Sequence, residues 1–206
     1  MSTAQHKPKS HGGYRNLASY QTTTIIYDLT VEFVKTYVSK FSRTTDQMIQ
    51  AARSGRQNIA EGSQASGTSK KTEIKLVGVA RASLEELLND YLDFLRQRHL
   101  SLWPKDSPQA KVVRALAYKS NRSLGPHPAS RERTASSAYE TYKSYLKDPE
   151  TAANCVVCLI HQSNFLLDRQ LASREQDFIE KGGYTENLFK KRLESRNTTN
   201  KSNMSN

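Results

Sequence analysis

Between Leu17 and Phe41, apolar or small residues return every three or four positions: Tyr20, Thr24, Tyr27, Val31, Val34, Val38 and Phe41. Ile26, Phe33 and Tyr37 widen that stripe. This is the period of a helix with one face in a core, and it predicts a first helix from Asn16 or Leu17 to about Phe41. A second helix opens at Thr44 or Thr45, either of which suits an N-cap, with Asp46 in its first turn. Its stripe is Met48, Ala52, Gly55, Ile59 and Gly62. A glycine inside a helix costs about 0.5–1 kcal/mol relative to alanine, so Gly55 predicts close approach of a neighbouring backbone.

After a polar turn from Gly62 to Gly67, Thr68 or Ser69 caps a third helix that reaches about His99. Ile74, Val77, Ala80, Leu84, Leu87, Leu88, Tyr91, Phe94 and Leu95 cover an arc wide enough for two neighbours, and Trp103-Pro104 is expected to end the helix. A fourth long helix is predicted from Pro149 or Glu150 to about Lys181, on Val156, Leu159, Ser163, Leu166 and Gln170, widened by Cys155, Ile160, Leu167, Leu171 and Phe178. Gly182-Gly183 stops it. Thr185 then caps a last short helix with Leu188, Phe189 and Leu193 on one side.

Residues 105–147 break the pattern, with short helices expected at Gln109–Ser120 and about Ala138–Leu146 around NRSLGPHPASRERTASS. The predicted division is a disordered basic arm (1–15), three bundle helices (16–104), a basic insertion (105–147), a fourth helix with a suffix helix (148–195) and a disordered tail (196–206). The expected fold is all-α: an up-and-down four-helix bundle with an inserted segment and a short C-terminal helix.

Charge sharpens this picture. Thirty-one Lys and Arg against 20 Asp and Glu leave a net charge of +11. Residues 105–147 hold nine Lys and Arg against three Asp and Glu, a surplus of six and more than half the total. Such a surplus favours a polyanionic partner, because neutralised phosphates release counterions. Arg53 and Arg56 precede the turn between the second and third helices, Lys70 and Lys71 occupy the next first turn, and Lys75 follows one turn on. Each cation at a helix start is disfavoured by about 0.3–1 kcal/mol, yet free N–H groups beside lysines suit phosphate. With Lys111, Arg114, Lys119, Arg122, Arg131 and Arg133, these are the candidate nucleic-acid contacts. The competing reading is a solvated surface compensated by Glu73. Tyr139, Tyr142 and Tyr145, beside Lys143 and Lys147, could stack bases. Their spacing drifts round a helix, which favours packing on the bundle.

Catalysis has little to stand on. Cys155-Val-Val-Cys158 is a single pair without the four ligands tetrahedral zinc needs, and it reads as buried small hydrophobes. No Glu-x-x-His motif of di-iron bundles is present, nor a phosphate loop after a strand. No metal, cofactor or enzymatic activity is expected. The first 16 residues are polar and predict no signal peptide. No run approaches the ~20 apolar residues of a membrane helix, so the expectation is a cytoplasmic protein without a membrane partner.

YRNLASYQ (Tyr14–Gln21), the NIAEG helix (Asn58–Gly62) and SKKTEIKLVGVARASLEEL together resemble the four-helix bundle proteins related to 23S rRNA intervening-sequence proteins. The accessory variability protein of diversity-generating retroelements belongs to the same group. The resemblance covers about 14–103, with the fourth helix displaced to 150–181; ANCVVCLIHQSNFLLDRQL to GGYTENLFKKR looks like the suffix domain of some members. It implies a homopentameric barrel of bundles with a basic surface. In the retroelement branch it implies binding of a reverse transcriptase and its template RNA, so RNA is expected before DNA. It also implies that Asn58, Ile59, Ala60, Glu61 and Gly62 are structural, tying the second helix to its neighbours. The alternative is an oligomeric scaffold that recruits a protein without binding nucleic acid, suggested by the charge-balanced 148–206 segment.

Overall fold

The computed structural model describes residues 13–122 and 139–203, with side chains over 13–116 and 139–197. Every regular element among them is helical: α1 (Ala18–Tyr37), α2 (Arg43–Ala65), α3 (Lys70–Gln97), α4 (Pro108–Arg122), α5 (Pro149–Lys181) and α6 (Tyr184–Asn203). Short 3-10 turns lie at Gly13–Asn16 and Ser144–Lys147, and residues 139–143 are helical. The all-α class read from the sequence is the class observed. The 1–15 arm falls outside the described residues up to residue 12.

The first helix stops earlier than its pattern suggests. Val38 is extended (φ −109°, ψ 142°), and Phe41 is 99% exposed. The core of α1 is also rotated from the Tyr20–Thr24–Tyr27–Val31 line, which is only half-buried. Ile25, Ile26, Leu29, Phe33 and Val34 are buried, together with Thr22, Thr23 and Thr30. These threonines take interior positions because each hydroxyl donates to the carbonyl one turn back: Ala18 at 2.9 Å, Ser19 at 2.9 Å and Ile26 at 2.7 Å. A stripe drawn on apolar character alone misses them.

Ser42, not Thr44 or Thr45, caps α2 by accepting from the Thr44 N–H at 3.2 Å. Met48, Ala52, Gly55, Ile59 and Gly62 are all buried, as their spacing predicts. A Cβ at Gly55 would lie 2.8 Å from Leu84 Cδ2, so α2 and α3 do approach closely there. The helix continues past Gly62 to Ala65. Ser69 caps α3 by accepting from the Thr72 N–H at 3.2 Å. That helix ends at Gln97, six residues before Trp103. His99 turns into the left-handed region (φ 56°), and the Leu100 N–H donates back to Leu95 O at 2.9 Å.

Asp148 caps α5 by accepting from the Thr151 N–H at 2.8 Å, and Gly182 (φ 66°) ends it, matching the expected bounds. The partners follow in order: α1 packs on α2, α2 on α3, α3 on α5, and α5 back on α1. Helices α3 and α5 run antiparallel, with Glu73 beside Arg174 at one end and Ser101 beside Glu150 at the other. Helices α1 and α5 do likewise, through Ser19 with Gln170 and the Tyr37 hydroxyl donating to Leu146 O.

The 105–147 segment joins this core. Ala110 and Val113 of α4 and Tyr142 are buried, and the Tyr142 hydroxyl donates to Val113 O at 3.3 Å. Tyr139 and Tyr145 are half-buried against the same cluster. Packing, not an open stacking surface, is what the three tyrosines provide.

The C-terminal region departs most from expectation. Thr185 lies inside α6, and Glu186 accepts from the Gly183 N–H at 3.0 Å ahead of it. The helix extends through Asn203, so residues 196–203 are helical and not a disordered tail. Every described side chain from Tyr184 onward is exposed, including Leu188, Phe189 and Leu193.

Candidate nucleic-acid interface

The cations flanking the α2–α3 turn do not converge. The Arg56 guanidinium lies 4.3 Å from the centre of the Tyr27 ring, a cation–π contact directed at α1. Lys70 turns the other way, its Nζ donating to the Asp177 carbonyl of α5 at 3.3 Å. Arg53, Lys71 and Lys75 are exposed. Two of the five residues are thus engaged with different helices.

Glu73 explains part of that arrangement. It is not a solvated counter-charge: it is 5% exposed, and its Oε1 lies 2.9 Å from Arg174 Nε. Arg174 also lies 3.7 Å from Asp177, which pairs with Lys181. Burial raises the Glu73 pKa, with the charges of Arg174 and Lys70 opposing the rise. The end of α5 therefore supplies a cation for Glu73 and a backbone carbonyl for Lys70 at the start of α3. Arg174, Asp177 and Lys181 were missed as members of this cluster; their i, i+3, i+7 spacing places them on one face and was the available signal.

Within NIAEG, Ile59, Ala60 and Gly62 are buried. Asn58 Nδ2 donates to Ser54 O at 2.9 Å and to Ser54 Oγ at 3.1 Å, and Ser54 Oγ meets Ser83 Oγ of α3 at 2.9 Å. Asn58 thereby supports the α2–α3 contact at one remove. Glu61 is exposed, accepting from Gln57 Nε2 of its own helix at 3.2 Å.

A different concentration of chemistry lies on the α4 side. A cavity of about 610 Å³ opens between the 102–105 connection, α4 and α5. Leu102, Trp103, Val157 and Phe165 give it apolar and aromatic walls, and Cys158 with Ala110 lies among them. Lys105, Arg114 and His161 line it too, and among the described residues that line it none is an acid. The size falls within the ~300–1,000 Å³ of small-ligand pockets.

Trp103 is held in place by Asn154, a buried polar residue of α5. The Trp103 backbone N–H donates to Asn154 Oδ1 at 2.7 Å, and Asn154 Nδ2 donates to Ser101 O at 2.8 Å and Glu150 O at 2.9 Å. Arg114 Nη2 donates to the Lys105 backbone carbonyl at 2.6 Å, which ties α4 to the 102–105 connection. Burial raises the Cys158 thiol pKa, and the Arg114 charge opposes the rise. Both thiols are free and buried, consistent with packing. Gln162 also lines the cavity, and its Oε1 is buried with no hydrogen-bond partner among the described residues.

Lys111 is exposed on α4. Lys119 and Arg122 belong to the same helix, but their side chains, and all of Arg131 and Arg133, lie outside the described residues. Sequence reading took Trp103 as a helix stop and overlooked it as a wall. The usable signal was the chain's single tryptophan standing two residues before Lys105, where the basic segment begins.

No family model, no curated protein and no solved structure matches this chain.

Proposed function

We propose that this chain is a non-enzymatic, cytoplasmic helical-bundle protein that binds a nucleic-acid strand, RNA in preference to DNA, through phosphate contacts on its α4 side. One observation carries the reading. The segment with more than half the surplus charge borders a cavity lined by Trp103, Phe165, Lys105 and Arg114, with no lining carboxylate among the described residues. The α2–α3 turn, where Arg56 and Lys70 are turned toward protein partners, contributes less. The order of packed pairs supports an up-and-down four-helix bundle built from α1, α2, α3 and α5. Homopentameric assembly and a reverse transcriptase as protein partner rest on the family resemblance alone. Such binding needs no cofactor or metal.

The test is a salt series with labelled mixed-sequence RNA and DNA strands. Affinity should fall linearly on log–log axes, with a slope of about −0.7 per phosphate neutralised. Binding that is absent at low salt, or that does not change with salt, ends this reading.

A second reading has its own observation. Helix α6 presents Tyr184, Leu188, Phe189 and Leu193 to solvent, and is in none of the closely packed helix pairs. A scaffold that recruits protein through α6 would lose its partner on removal of 184–206 and retain it after nuclease treatment.

A further inference from the structure

We infer that the cavity between the 102–105 connection, α4 and α5 receives a single base of the bound strand, with the adjoining phosphate on the Lys105–Arg114 rim. The inference rests on the nucleic-acid reading above and adds to it a defined site. Two features select this ligand. Trp103 and Phe165 offer flat apolar surface, on which base stacking is worth about 1–3 kcal/mol per base elsewhere. Lys105 and Arg114 add positive charge, and among the described residues no lining acid cancels it.

A fatty acid could fill the apolar walls and place its carboxylate on the same cations. A base adds a flat aromatic face that can stack on Trp103 and Phe165, and it arrives on a strand whose phosphates suit the surplus of six positive charges in residues 105–147.

Trp103 is the only tryptophan in the chain, so its fluorescence reports on this site alone. The full-length protein is titrated with AMP and UMP, the matching nucleosides, inorganic phosphate, dodecanoate and a single-stranded RNA. Saturable quenching by nucleotides and by the RNA is expected, with nucleosides about tenfold weaker and phosphate alone without effect. Arg114→Gln should weaken AMP about tenfold and leave adenosine unchanged, whereas Phe165→Ala should weaken both; circular dichroism checks that each variant folds. The inference is overturned if no nucleotide quenches saturably, if dodecanoate quenches and nucleotides do not, or if Arg114→Gln leaves AMP affinity intact. Should RNA bind with the expected salt dependence while Trp103 stays unaffected, the base site fails and the phosphate reading stands. Nucleotide binding without any strand binding removes both.

Discussion

Residues 152–160 and residues 184–197 are both helical, yet every side chain of the first stretch is buried and every side chain of the second is exposed. In the first, AANCVVCLI is apolar or small nearly all round, and protein covers it on every side: α3, α1, then α4 with the 139–147 segment. In the second, Lys190, Lys191 and Arg192 stand together between Phe189 and Leu193, and the few apolar residues lie open to solvent. The contrast changes the meaning of the insertion. Its charge made it look like an appendage for phosphate, but Ala110, Val113 and Tyr142 close the third side of α5. One segment completes the core with its apolar positions and carries the basic rim with the others.

Removing the cover should have the largest effect. Tyr142→Ala empties a fully buried aromatic site and should cost about 3–5 kcal/mol in urea denaturation. A cost below about 1 kcal/mol would mean that the insertion merely rests on α5. Close packing elsewhere offers a second probe. Gly55→Leu forces a side chain into space already held by Leu84, and about 1–3 kcal/mol of destabilisation is expected.

The boundary between enclosed and open helix lies near Arg174. Arg174→Met strips the partner from buried Glu73 and should destabilise by about 1–3 kcal/mol at neutral pH. Glu73→Gln should cost less than Arg174→Met, because burial already holds the Glu73 pKa above its ordinary value and so favours the neutral form. The sign with pH follows. A carboxyl whose folded pKa is raised contributes stability in full below the unfolded value and loses it as pH rises through the folded one. Glu73 therefore contributes a gain as pH falls from neutrality toward the ordinary carboxylate range, and Glu73→Gln should remove that gain when melts at pH 7 and pH 5 are compared. The smallest effect belongs to the open helix. The double substitution Leu188→Ser with Phe189→Ser should change monomer stability by no more than about 0.5 kcal/mol. A larger loss would show that α6 is held by contacts within its own chain.

The start of α3 and both bounds of α5 were legible because Ser69, Pro149 and Gly182 are local devices: caps, first-turn prolines and stops act within one turn of themselves. The α2 stripe was legible because small residues at Gly55 and Gly62 have few reasons to recur except close packing. The end of α1 was not. Phe41 continues the apolar period, but Ser42 takes the chain into a new helix before that residue can be used. The candidate cations were found as residues, and their roles were not. Whether Lys70 meets solvent or the Asp177 carbonyl depends on an α5 position 107 residues away.

By itself, then, the sequence determined that this is an all-helical chain, where its longest helices start, which small residues press two of them together, and where its charge accumulates. Periodicity, capping and composition are properties of neighbours along the chain, and a reader needs nothing else to see them. Only the tertiary structure decided that Tyr142 is core, that Glu73 is buried beside Arg174, and that Trp103, Arg114 and Gln162 share one cavity. Each depends on which of several equally helical faces meet, and that choice is made by the simultaneous burial of residues far apart in the chain.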